Sequence, residues 1–149
     1  MNPFEARAPA FGYVPVVVES GLAWLSGQLP WDGDAPLATG RLGDGVDVET
    51  GRAAARCCVL NGLAVLREAI GTLDRVKRFV KVVGFVSSAP GFFDQAAVVE
   101  GASDLLGEVF GAAGRHARSA IGVVALPRNV PVEVEFVVAV DWKGAPAAE

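Results

Sequence analysis

Along residues 76–87 apolar side chains alternate onto both sides of an extended chain, with Val80, Val82 and Val86 on one side and Phe79, Val83 and Phe85 on the other. A strand that is apolar on both faces belongs in the middle of a sheet covered twice. The rest of the chain supplies too few elements to cover both faces. Only two segments change to a helical period. In 47–70, Val59, Leu63, Leu66 and Ile70 fall on one stripe, with Asp47 or Thr50 as the cap and Gly71 past the end. In 93–110 the stripe is Val98, Ala102, Leu105 and Val109, closed by Gly111 and Gly114. Two helices cover one face, so a second copy of the sheet is expected on the other.

The remaining strands read as a hairpin over 14–18 and 22–26, then 118–125 and 132–140. Pro15 places the first strand at an edge, where its missing N–H does no harm. Residues 30–45 hold Asp32, Gly33, Asp34, Pro36, Gly40, Gly43, Asp44 and Gly45, and read as a loop long enough to be functional. The order is β-β-α-β-α-β-β: an α+β fold with one mixed sheet and two helices on one face. The 149 residues fit one domain, 1–149, with 144–149 as a frayed tail.

Composition narrows the partners. With 13 Lys and Arg against 17 Asp and Glu, a net charge of −4 and a pI near 5.0, there is no basic footprint for a phosphate backbone, and no nucleic-acid partner is expected. Mean hydropathy is high at +0.39, yet no run approaches the ~20 apolar residues that span a bilayer. The charge-free stretch 82–93 is broken by Gly84, Ser87, Ser88, Pro90 and Gly91. Residues 1–5 have neither a basic start nor an apolar core, so no membrane association and a cytoplasmic location are expected. Cys57 and Cys58 are then reduced, and they read as core residues.

Chemistry is sparse. One histidine, His116, and two adjacent cysteines cannot supply the four spaced ligands of a structural zinc, so no metal is expected. Gly40, Gly43 and Gly45 lack the Lys-Ser/Thr of a phosphate loop, and Ser26 in Ser-Gly-Gln is not a nucleophile elbow. What stands out is Gly114-Arg115-His116-Ala117-Arg118-Ser119-Ala120, followed by Leu126-Pro127 and Val132-Glu133-Val134-Glu135. Period 2 sets Glu133 and Glu135 on one face, opposite Val132, Val134 and Phe136. Two readings are open. The carboxylates and Arg118 form a solvated edge with a surface ion pair, or a guanidinium fork binds a substrate carboxylate while Glu133 handles water or a proton.

With Ser26-Gly27-Gln28-Leu29-Pro30 and Asn61, these residues make the chain resemble the reactive intermediate deaminase family (RidA, or YjgF-like, with the older label L-PSP endoribonuclease) over about residues 10–141. The resemblance implies a chorismate-mutase-like fold and a homotrimer with clefts between subunits. It implies hydrolysis of 2-imino or 2-enamino acids to 2-keto acids and ammonia, without metal or cofactor. On it, Arg118 binds the substrate carboxylate, Glu133 positions the attacking water, and Ser26 and Tyr13 line the cleft. The family's deaminases commonly carry Pro-Ala-Arg-Ser-Cys. Here His116 stands for the proline and Ala120 for the cysteine, which marks a divergent branch. His116 reads as a turn or interface residue. Binding of a keto acid or other small carboxylate without turnover is the alternative, and RNA cleavage a third.

Overall fold

Asp47 opens the first helix by accepting a 2.8 Å hydrogen bond from the Thr50 N–H, which holds its carboxyl below the usual carboxylate range. The computed structural model describes residues 12–143; the tail expected at 144–149 lies outside them. Helix α1 (Val48–Ile70) ends at Gly71, whose φ of 86° an L side chain would resist and whose N–H caps the Arg67 carbonyl. Its expected stripe is buried throughout: Val59, Leu63, Leu66 and Ile70. Helix α2 (Gln95–Phe110) starts two residues later than expected, after a turn through Gly91 at φ 85°, and leaves Phe93 exposed. Val109 also stays exposed, against expectation. The last turn of α2 instead directs Phe110 inward, where its ring meets Phe79 at 5.0 Å between centroids.

Strands β1 (Val16–Glu19), β2 (Leu22–Leu25), β7 (Val76–Ser87), β8 (Ala117–Val123) and β9 (Val132–Val140) form one sheet in the order β1-β2-β9-β7-β8. β7 and β8 run parallel, joined by α2, while the other pairs are antiparallel, so the sheet is mixed as expected. β1, with Pro15 just before it, is an edge strand. Residues 30–45 are not a structureless loop: β3 (Trp31–Asp32) pairs with β4 (Ala35–Pro36), and β5 (Arg41–Leu42) with β6 (Gly45–Val46). Asn61 fastens the start of this segment by donating to the Leu29 and Trp31 carbonyls at 2.9 and 3.1 Å.

Strict alternation fails in β7. Its pairing with β9 shifts between Phe79 and Lys81, and this bulge turns Phe79 to the same helix-covered side as Val82 and Val86, correcting the expectation that set it with Val83 and Phe85. On that side Phe79 and Phe136 pack at 5.5 Å with rings tilted by 58°. The helices approach so closely that a Cβ on Gly101 would run into the Arg52 backbone. Arg52 and Asp104, and Arg56 and Glu108, bridge the two helices along their exposed rim.

The other face of the sheet has no cover within the described chain. Trp24 and Val17 remain 52% and 51% exposed there, beside Ile121 and the half-buried Val83, Phe85 and Val137. An apolar face of this kind marks an interaction surface.

Candidate functional site

The chain brings the expected site residues to two places. The first is the end of the sheet where β2 leaves β9. Trp24 pairs with Val137 and Gln28 with Val134, so four steps along one strand match three along the other. The bulge sets Gly27 directly over Glu133, so closely that a Cβ there would collide with the Glu133 carboxylate. Glu133 is half-buried on the outer face, across from Phe85. Burial first, then the like charge of Glu135, raises its pKa above the ordinary value of 4.5. A raised pKa makes this carboxyl a stronger base than an ordinary carboxylate, suited to taking up and returning a proton.

Ser26 stands beside this group. Its N–H donates to the Pro15 carbonyl at 2.9 Å and its hydroxyl to the Val14 carbonyl at 2.7 Å. Tyr13, next to Val14, is 52% exposed at the same end of the sheet. Glu133, Ser26 and Tyr13 are therefore gathered by the hairpin and its bulge. The thiols nearby are quiet: burial, then Asp32, pushes Cys57 up to about 11, and burial pushes the enclosed Cys58 well up.

Arg118 is at the second place. In register it aligns with Val82, and Val82 with Phe136, so it faces the helices, whereas Glu133 faces away from them. Within one chain the two do not meet. The idea that Glu133 balances Arg118 is corrected accordingly: the guanidinium Nη1 donates to Glu100 Oε2 at 2.6 Å and to Ser103 Oγ at 3.0 Å, both on α2. Nε and Nη2 of Arg118 make no hydrogen bond to any described residue. The side chain is 24% exposed, on the wall of an open cleft of about 420 Å³ lined by Glu100, Ser103, Gly107, Gly114, Arg115, His116 and Arg118.

Glu100 and Ser103 were not found by reading the sequence. Their only signal there is i, i+3 spacing on α2 away from the buried stripe. His116, read as a turn or interface residue, lies in the connection between the Gly111–Gly114 turn and β8, and it also lines this cleft, hydrogen-bonded to Ser103. Ala120 aligns with Gly84 and puts no thiol beside Arg118. Among the described residues no three His, Cys, Asp or Glu side chains gather in a way that would hold a metal ion, and no helix is long and apolar enough to cross a membrane.

Comparison with known proteins bears on both places. A family model described as "YjgF/chorismate_mutase-like, putative endoribonuclease" matches residues 4–139. Protein TCP17 of Trypanosoma cruzi is 47% identical over 134 residues, 89% of this chain and 84% of that protein. Among solved structures, Atu1372 of Agrobacterium tumefaciens, described as of unknown function, superposes with a TM-score of 0.86 at 40% identity, over 91% of this chain and 85% of that one. A "putative endoribonuclease" of Shewanella oneidensis superposes with a TM-score of 0.88 at 32% identity, over 91% and 90%. The matched span takes in both the Gly27–Glu133 bulge and the Arg118 cleft, and the chain belongs to the YjgF/chorismate-mutase-like family.

Proposed function

We infer that the protein hydrolyses small 2-imino or 2-enamino acids to 2-keto acids and ammonia. The observation that carries this reading is Arg118. One nitrogen of its fork is held by Glu100 and Ser103 while the others are left to bind a carboxylate at the cleft. In the imine, water adds to C2 and the C=N electrons pass to nitrogen. The carbinolamine then loses ammonia as C2=O forms. Glu133 takes one proton from the attacking water and passes it to the imine nitrogen, then moves the carbinolamine hydroxyl proton to the same nitrogen as ammonia leaves. An imine is already electrophilic, so orientation and a placed water do most of the work.

Arg118 and Glu133 face opposite sides of one sheet, so this reading requires a cleft shared between subunits. The homotrimer supplies it: the apolar outer faces pack inward, and the Tyr13, Ser26 and Glu133 end of one subunit approaches the β8 edge of the next. Light scattering at micromolar protein is expected to give about three times the 15.4 kDa chain mass, and a sharp monomer peak would sink the shared cleft.

Imines generated in situ by an amino-acid oxidase, with release of ammonia and keto acid followed, test the reaction. Glu133→Gln is expected to abolish turnover and also to stabilise the protein. A carboxyl whose folded pKa is raised binds more protons folded than unfolded, so its ionisation costs stability as pH rises. The Gln variant should melt higher than wild type at pH 7, with the gap closing as pH falls below the ordinary carboxyl value. A variant that is inactive and melts lower at pH 7 would make Glu133 a structural residue. Ligand-induced stabilisation by keto acids with no turnover in wild type would leave a binding module. RNA cleavage, which the family description and the Shewanella relative's name suggest, is disfavoured by a chain with 17 Asp and Glu against 13 Lys and Arg. Cleavage that fell away on purification, unchanged by Glu133→Ala, would remove it.

A further inference from the structure

Ser103 Oγ lies 3.0 Å from Nε2 of His116, and Nδ1 of the same ring lies 2.6 Å from the Gly114 carbonyl oxygen. A carbonyl only accepts, so Nδ1 carries the proton and donates. That leaves Nε2 of the neutral ring to accept from the Ser103 hydroxyl. Hydroxyl, imidazole and orienting carbonyl therefore stand in hydrogen-bonded series, the arrangement that turns a weakly nucleophilic hydroxyl into an attacking group. The Ser103 oxygen also accepts from Arg118 Nη1 at 3.0 Å, a cation that stabilises negative charge as it builds on that oxygen or on a substrate carbonyl beside it.

The backbone holds this geometry rigidly. A Cβ on Gly114 would run into the Leu106 carbonyl, so only glycine lets the turn Gly111–Gly114 dock on α2. That docking carries both the orienting carbonyl and His116 to Ser103. Gly107, one helical turn beyond Ser103, leaves open space on the cleft side. Arg115 and Arg118 face the cleft against one carboxylate, Glu100, so the field favours an anionic substrate.

We propose that Ser103 and His116 form an acyl-transfer centre that hydrolyses small esters bearing a carboxylate. Ser103 Oγ bonds to the ester carbonyl carbon while its proton passes to His116 Nε2. The alcohol leaves with that proton as the C–O bond breaks, and an acyl-serine remains. Water, deprotonated by His116, then cleaves the acyl-serine to the acid and restores the hydroxyl. The centre shares Arg118 and its cleft with the proposed imine hydrolysis but uses neither Glu133 nor the outer face, and labelling at Ser103 reads it without reference to imine turnover.

The test is an alkyl fluorophosphonate on the intact protein, which phosphonylates an activated serine oxygen with loss of fluoride. Peptide mass spectrometry is expected to find the adduct at Ser103 in wild type and to lose it in Ser103→Ala. In His116→Gln labelling should slow by roughly 10²-fold. Mono(4-nitrophenyl) glutarate should be cleaved faster than 4-nitrophenyl acetate, and Ser103→Ala should lose both activities. No adduct at Ser103 in wild type overturns the proposal, whatever the variants do. So does undiminished labelling of a His116→Gln protein whose circular dichroism is native.

Discussion

Replacing Arg118 with lysine is expected to cut kcat/KM for a 2-imino acid by roughly 10²-fold, and replacement with alanine by more, because an ammonium keeps the charge but cannot make two parallel bonds to a carboxylate. The loss should sit in kcat as well as KM, since a substrate anchored by one bond swings out of line with its water. Stability should change little. Arg118 is paired with Glu100, whose side chain is 46% exposed, so water replaces the lost partner. Turnover and melting curves measured on the same samples check this. Near-normal turnover in the lysine variant would mean that the fork is held for α2 rather than for a substrate. Equal rates in wild type and the alanine variant would reassign the cleft altogether.

Patterns that depend on one segment alone were legible in the sequence. The bounds of β9, a cap at Asp47 or Thr50, of which the structure uses Asp47, and the buried stripe of α1 follow from alternation, capping chemistry and helical period, and each is local. The points that resisted reading are set by pairing between distant strands. Phe79 sits on the helix side because β7 slips against β9, and no periodicity within β7 records that slip. Glu133 owes its half-buried setting to a bulge at Gly27, over a hundred residues earlier in the chain. Arg118 stands out in sequence, but its partners do not. Glu100 and Ser103 are ordinary surface residues of a helix until the crossover from β7 through α2 lays that helix beside β8. The family resemblance supplied the roles of Arg118 and Glu133. That they lie on opposite faces of the sheet emerges only from the register.

The largest loss of stability is expected from Phe136→Ala, at about 3–5 kcal/mol. For a domain of this size that lowers Tm by roughly 10 °C. Phe136 is 1% exposed, stacks on Phe79, and presses its ring tip onto α1 at Gly62, where no Cβ fits. Gly62→Ala alone should therefore also destabilise, since the ring must move to admit a methyl group. Combined with Phe136→Ala, the same substitution enters a cavity and should cost nothing or recover part of the loss. The double-mutant cycle should thus show strong coupling of opposite sign to the single effects. Additive losses would mean that the cost of Gly62→Ala does not come from the Phe136 ring. The cavity would also reach the proposed reaction. A Cβ on Gly62 would sit 3.4 Å from the Gln28 side chain, and the Gln28 backbone pairs with Val134, one residue from Glu133. Removing the ring loosens the clamp that holds Gly27 over the carboxylate, so Phe136→Ala should lose turnover at temperatures where it is still folded, and Gly62→Ala in that background should restore some of it.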